Sequence, residues 1–130
     1  MQKLIRPALA TLWVLASEFI RNELILKNFW VEHFKSLGLK FETLPLNGFL
    51  WLLWSAIMVY LVYKLMQKFS VFEAFLITWL VSFGGMWLVT YNLQVLPLQI
   101  LFLAIPLSML EIFVAQVIMS KDLKINIIVK

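Results

Sequence analysis

Residues 95–119 read VLPLQILFLAIPLSMLEIFVAQVIM, and Glu111 is the only ionisable group among them. A helix of about 20 predominantly apolar residues crosses a bilayer's hydrocarbon core. No alternation of apolar and polar residues marks a lipid-facing strand here. A helix also satisfies its backbone groups internally, as hydrocarbon demands. The stretch is therefore predicted to be a membrane-spanning helix. Residues 71–91, 48–65 and 4–26 meet the same test, with Pro7 read as lying in the opening turn of the first span. The composition agrees. The 130 residues are 63% apolar and 14% charged, with a mean hydropathy of +0.93. Soluble domains run at about half apolar and a quarter charged. A water-soluble globule, a disordered chain and a coiled coil are thereby excluded.

The expected fold is an all-α membrane protein: a single integral domain over 1–130, with four spans running up and down as a bundle. Residues 64–70 and 92–97 leave room only for short turns. The connection from Lys27 to Asn47 is longer. Within it, residues 28–37 (NFWVEHFKSL) place Trp30, Val31, Phe34 and Leu37 on one helical face, with Glu32, Lys35 and Ser36 turned away. Asn28 is a fitting N-cap and Gly38 a fitting stop. This pattern predicts a short amphipathic helix in the headgroup layer. Trp30, Trp51, Trp54, Trp87 and Tyr91 fall toward the same side and read as an aromatic belt. Lys3, Arg6, Lys64, Lys68, Lys121, Lys124 and Lys130 collect on the opposite side. The lysine and arginine bias then places both termini in the cytoplasm. The first span runs into Glu18, Arg21 and Glu23 rather than a small-residue cleavage site, so it reads as retained rather than as a removed signal.

Several chemistries are excluded by counting. There is no cysteine, so disulfides, thiolate catalysis and iron–sulfur clusters are ruled out within this chain. The single histidine, His33, has no second ligand nearby in sequence and reads as an interfacial imidazole, so no metal and no cofactor are expected. The net charge is +4 with a pI near 9.5. The basic residues are scattered, no patch forms, and no nucleic acid partner is expected.

The informative residues are polar ones inside the spans. A charged side chain at mid-bilayer costs about 2.5–3.5 kcal/mol on insertion scales, so it needs a partner, water or a task. The first span carries Ser17, Glu18, Arg21, Asn22 and Glu23, and helical spacing lines up Thr11, Glu18, Arg21 and Asn22. Glu18 and Arg21 are three apart and can pair. In the fourth span, Glu111 shares a stripe with Ala104, Ser108 and Ala115, small residues that permit close helix approach. Pro106 is expected to kink that span. Counting along each helix puts Glu18 about 19 Å and Glu111 about 13 Å from the inner ends. A network of Glu18, Arg21, Asn22 and Glu111 is thus expected, with Arg21 better placed for Glu18 than for Glu111. Gly84 and Gly85, in the middle of the third span, read as a packing or bending point, packing being preferred. Glu73 reads as a surface carboxylate close to Lys68 or Lys121.

The strings SEFIRNELILKNFW, LGLKF, PLNGFLW, GGMWLVTYNLQVLPL and AIPLSMLEIF together resemble a family of small uncharacterised bacterial four-helix membrane proteins, over roughly residues 12–119. That resemblance implies an integral protein of the bacterial inner membrane with this topology, and carries no catalytic or binding residue. Glu18 also stands where small multidrug transporters, which have four short spans, keep an essential first-span glutamate. This chain departs from them in having Arg21 three residues later and a long amphipathic first loop. Two functions follow as expectations. One is a non-enzymatic module whose buried Glu/Arg network is structural or partner-binding. The other is a small oligomeric proton-coupled transporter or channel using Glu18 and Glu111. A homo-oligomer or a membrane-protein partner suits either. A lipid-modifying enzyme is a third reading, but the chain shows no nucleophile–base pair, metal cluster or aspartate-rich motif.

Overall fold

The computed structural model describes residues 2–123. Among them are five helices and no strand. Helix α1 covers residues 2–25 and consists of α-helix Gln2–Phe19 followed directly by a π-helical stretch, Ile20–Ile25. Helix α2 is Lys27–Ser36, α3 is Pro45–Met66 and α4 is Val71–Asn92. A second π-helical stretch, Leu80–Gly84, interrupts α4. Helix α5, Leu101–Leu123, is introduced by a 3₁₀ turn at Leu98–Ile100. Three segments are long and apolar enough to cross a membrane: Pro45–Met66, Val71–Asn92 and Leu98–Lys121. Lys124 and Lys130, used above to orient the chain, lie outside the described residues.

The helix ends follow local chemistry. Pro45 occupies the first turn of α3, where a missing N–H costs nothing. Ser70 and Glu73 close a capping box on α4. The Ser70 N–H and hydroxyl donate to the Glu73 carboxylate at 2.9 and 2.7 Å, and the Glu73 N–H donates to Ser70 Oγ at 3.3 Å. Glu73 is therefore a capping residue rather than a partner for Lys68 or Lys121. Gly38 adopts φ +72°, and the Leu39 N–H reaches back to the Phe34 carbonyl at 2.9 Å, ending α2 as expected of a glycine stop. Asn28 is not the N-cap of α2. That helix begins one residue earlier, directly after the π stretch, whose last bond runs from the Leu26 N–H to the Arg21 carbonyl at 2.8 Å. Pro7 lies inside α1 rather than in its opening turn.

Helix α1 packs against α3 and α5, and α4 packs against the same two helices from the other side. The core between them holds Ala10 and Val14, Met58 and Val62, Ala74 and Phe83, and Ile112 and Met119. The small-residue stripe of α5, Ala104, Ser108 and Ala115, is buried in it. Trp79 donates to Ser108 Oγ at 2.9 Å, and Gln116 donates to the Val71 carbonyl at 3.1 Å, so polar bonds stitch α4 to α5 at two levels. Helix α5 continues as one helix through Pro106. Large apolar side chains instead face outward, including Leu9 and Leu12 on α1, Phe72 and Leu88 on α4, and Phe102, which is 86% exposed, on α5. Apolar surface this extensive suits a lipid solvent.

Gly84 and Gly85 do not mediate close helix packing. A Cβ built at either would meet only Leu80, in the same helix, at 3.7 and 3.6 Å. They mark the end of the π stretch instead. Glycine in a helix interior costs about 1 kcal/mol relative to alanine. Gly84→Ala and Gly85→Ala are accordingly expected to leave the fold intact and to raise the melting temperature slightly in detergent. A fall of several degrees in either variant would contradict this placement.

Candidate functional site

Arg21 is the centre of the polar interior. Its Nη1 donates to Glu111 Oε2 at 2.7 Å, while its Nη2 donates to Glu18 Oε1. Asn22 Nδ2 donates to Glu18 Oε2 at 2.9 Å and to the Glu18 carbonyl at 3.1 Å. The structure thus brings together Glu18, Arg21, Asn22 and Glu111, with Glu18, Arg21 and Glu111 all buried. Arg21 reaches Glu111 as well as Glu18, although a count along straight helices favours only the nearer pair. The physical difference is the π turn over Ile20–Ile25, which carries an extra residue per turn and re-phases the helix where the guanidinium leaves it.

Three contacts around this centre have no signature in spacing. Phe83 lies under the guanidinium, with Arg21 Cζ 4.8 Å from its ring centre, a cation–π distance. Phe83 belongs to the second π stretch, so the two π turns meet at Arg21. Trp13 donates its indole N–H to the Glu111 carbonyl at 3.0 Å. Trp30 donates to Asn22 Oδ1 at 3.2 Å, tying α2 to the network. Two carboxylates face one guanidinium, and Glu111 Oε1 has no partner among the described residues. With both carboxylates ionised the triad would carry one negative charge, and with one proton shared between them it is neutral.

A cavity of about 700 Å³ opens over this network at the α2 end of the molecule. Glu18, Arg21 and Asn22 form part of its lining. Trp30, Phe34 and Phe41, from α2 and the segment after it, form one wall, and Trp51 with Trp87 another. The first three rings pack edge-to-face and stacked at centroid distances of 5.4–6.5 Å. Glu23 and Glu42 also reach the lining, and Lys27 pairs with Glu23 at 2.9 Å. The apolar face expected of α2 is divided. Trp30 and Phe34 turn inward, while Val31 and Leu37 remain exposed. Trp87 is not a belt residue either, being only 8% exposed.

His33 sits apart from the cavity. Its Nε2 lies 3.0 Å from the Gln94 carbonyl oxygen and bridges α2 to the turn before α5, where Gln94 adopts φ +61°. His33, Asn92, Gln94, Pro97 and Gln99 outline a second, polar groove of about 490 Å³. Among the described residues no group of three or more metal-ligating side chains comes together. Comparison with protein-family models, with curated proteins and with solved structures found no match to this chain.

Removing one partner of a buried ion pair costs about 3–5 kcal/mol, because the other charge is stranded. Arg21→Met should therefore lower the detergent melting temperature sharply. Adding Glu18→Gln and Glu111→Gln to it should restore most of the loss. Unchanged melting of Arg21→Met would show that the triad does not hold the helices together.

Proposed function

We propose that this chain is a four-span integral protein of the bacterial inner membrane, with both termini cytoplasmic, and that it works as a non-enzymatic binding module. Helix α1 supplies the fourth span. It comprises 18 residues of α-helix and 6 of π-helix, a length of about 35 Å at the α-helical rise. Its low hydropathy comes largely from Glu18, Arg21, Asn22 and Glu23. Two of these, Glu18 and Arg21, are buried and neutralise one another within the protein. Its exposed side chains, Ile5, Leu9, Leu12 and Phe19, are those a lipid tail would meet. The lysine and arginine bias then sets α2 and the cavity in the outer half of the bilayer.

The observation that carries a binding role is the cavity itself. Apolar clefts of about 300–1,000 Å³ with a few convergent polar groups are the usual form of a small-molecule site. Here the polar groups are the charge network that also joins α1 to α5. A small oligomeric proton-coupled carrier is the second reading, and the unpartnered Oε1 of Glu111 is the observation that favours it. One proton or cation would balance the triad.

The absence of cysteine makes a direct test available. Single cysteines at Asn47 and Thr90, both lining the cavity, should react with a membrane-impermeant maleimide in intact cells. A cysteine at Gln67, in the turn between α3 and α4, should react only after the membrane is opened. Labelling of Gln67→Cys in intact cells would invert the topology. A Thr90→Cys chain that stays unreactive even when solubilised would remove the open cavity and the binding role with it.

A further inference from the structure

The charges at the floor of the cavity are already answered inside the protein. Glu18 accepts from Arg21 and Asn22. Arg21 is held by Glu18, Glu111 and the face of Phe83. Glu23 pairs with Lys27. Glu42 is exposed at the rim, where water and salt screen it. A ligand charged in either sense would give up its water on entry and meet no free counter-charge, which is costly. A bare hydrocarbon would suit the aromatic walls but would cover the neutral polar groups of Asn22, Asn47 and Thr90 without offering them a hydrogen bond. An uncharged amphiphile satisfies both surfaces.

The rim shows the same division. Six of the lining residues are exposed: Phe19, Leu44, Pro45 and Gly48 on an apolar side, and Glu42 and Thr43 on a polar one. Phe19 ends the α-helical part of α1, and Pro45 begins α3. Phe49, Leu50 and Leu53 continue the exposed apolar face of α3 from there. The mouth therefore opens onto the lipid-facing surface between α1 and α3 as well as toward water. Gly48 leaves that lipid-side edge without a side chain, and a Cβ there would meet nothing within 4 Å.

We propose that the cavity at the α2 end takes an uncharged lipid from the surrounding leaflet, a hydrocarbon chain whose head carries hydroxyl or carbonyl groups. The chain lies against Trp30, Phe41 and Trp51, and the head meets the neutral polar groups of Asn22, Asn47 and Thr90. This assignment rests on the binding role argued above and adds the ligand's class and its route of entry. The floor suits such a guest because its polar groups are fixed before binding. Asn22 is held between Glu18 and Trp30, and Asn47 by the Glu42 carbonyl, so little ordering cost remains to be met.

The full chain carrying Thr90→Cys, reconstituted in phosphatidylcholine vesicles, supplies the test. Its rate of reaction with a membrane-impermeant maleimide is followed as one of three lipids is added: glycerol monooleate, oleate at alkaline pH, or oleoylcholine. They share one chain and carry a neutral, an anionic and a cationic head. Lys40→Cys, exposed at the same end and outside the lining, corrects for the effect of surface charge on the reagent. Relative to that control, the glycerol ester is expected to slow Thr90→Cys several-fold, since an occupied cavity excludes the reagent. The two charged lipids should leave the rate unchanged. Adding Gly48→Leu should remove most of the protection without lowering the melting temperature, because its side chain fills open space at the rim. Protection by oleate or oleoylcholine equal to that by the glycerol ester would overturn the assignment. So would no protection by the glycerol ester, undiminished protection in Gly48→Leu, or a Thr90→Cys already shielded by phosphatidylcholine alone. Each of these leaves the cavity standing. The binding role falls only if Thr90→Cys is unreactive after solubilisation.

Discussion

A guanidinium buried between two carboxylates is the constraint around which the rest of the molecule is arranged. Arg21 cannot lose its proton and has no place among apolar side chains unless its charge is met inside. Glu18 meets it from the same helix and Glu111 from α5. The pairing therefore fixes the rotation of α1 and its height against α5. Both outer faces of α1 are then left to leucine, isoleucine and phenylalanine. The π turn over Ile20–Ile25 belongs to the same requirement. It widens α1 at the point where the guanidinium must leave toward α5, and a matching wide turn in α4 sets Phe83 beneath it.

The arrangement reaches beyond the ion pairs because each member of the triad has a neutral companion. Asn22 holds Glu18 and receives the Trp30 indole, so the position of α2 depends on a residue of the network. Trp13 donates to the Glu111 backbone carbonyl, so α1 and α5 are also joined one level away from the charges. Buried polar groups with these satisfied contacts specify one register among several that greasy helices would otherwise tolerate. The small stripe of α5 contributes by size rather than by polarity. Ala104, Ser108 and Ala115 keep the helix narrow where α1 and α4 approach it, and Ser108 uses its hydroxyl to receive Trp79.

The long apolar stretches were legible because length and hydropathy are properties of contiguous residues. Positions 48–65 and 71–91 fall within α3 and α4, and most of 95–119 falls within the Leu98–Lys121 segment, the first residues being taken by a turn around Pro97. Glu18, Arg21 and Asn22 stood out because charged and amide groups in an apolar helix are rare. Phe83 and Trp30 could not be picked out among so many apolar and aromatic residues, since their importance comes from what another helix brings to them. The π turns were equally hidden. An i→i+5 bond depends on the tertiary demand for re-phasing, and only the Gly84–Gly85 pair hinted at one of them. The capping box is readable from the spacing of Ser70 and Glu73, although Lys68 and Lys121 offer the same carboxylate a competing ion pair in sequence.

The same carboxylate can serve the fold and face a ligand only if the two roles use different atoms or different neighbours. Glu18 has that division. Oε1 is taken by Arg21, while Oε2 receives Asn22, and the residue borders the cavity. Glu111 is not among the lining residues, and it shares the Arg21 guanidinium with Glu18. A network with one cation for two carboxylates is neutral when the carboxylates hold one proton between them, so no unpaired charge faces lipid. The polar floor beneath the aromatic walls thus belongs to the same network that joins α1 to α5.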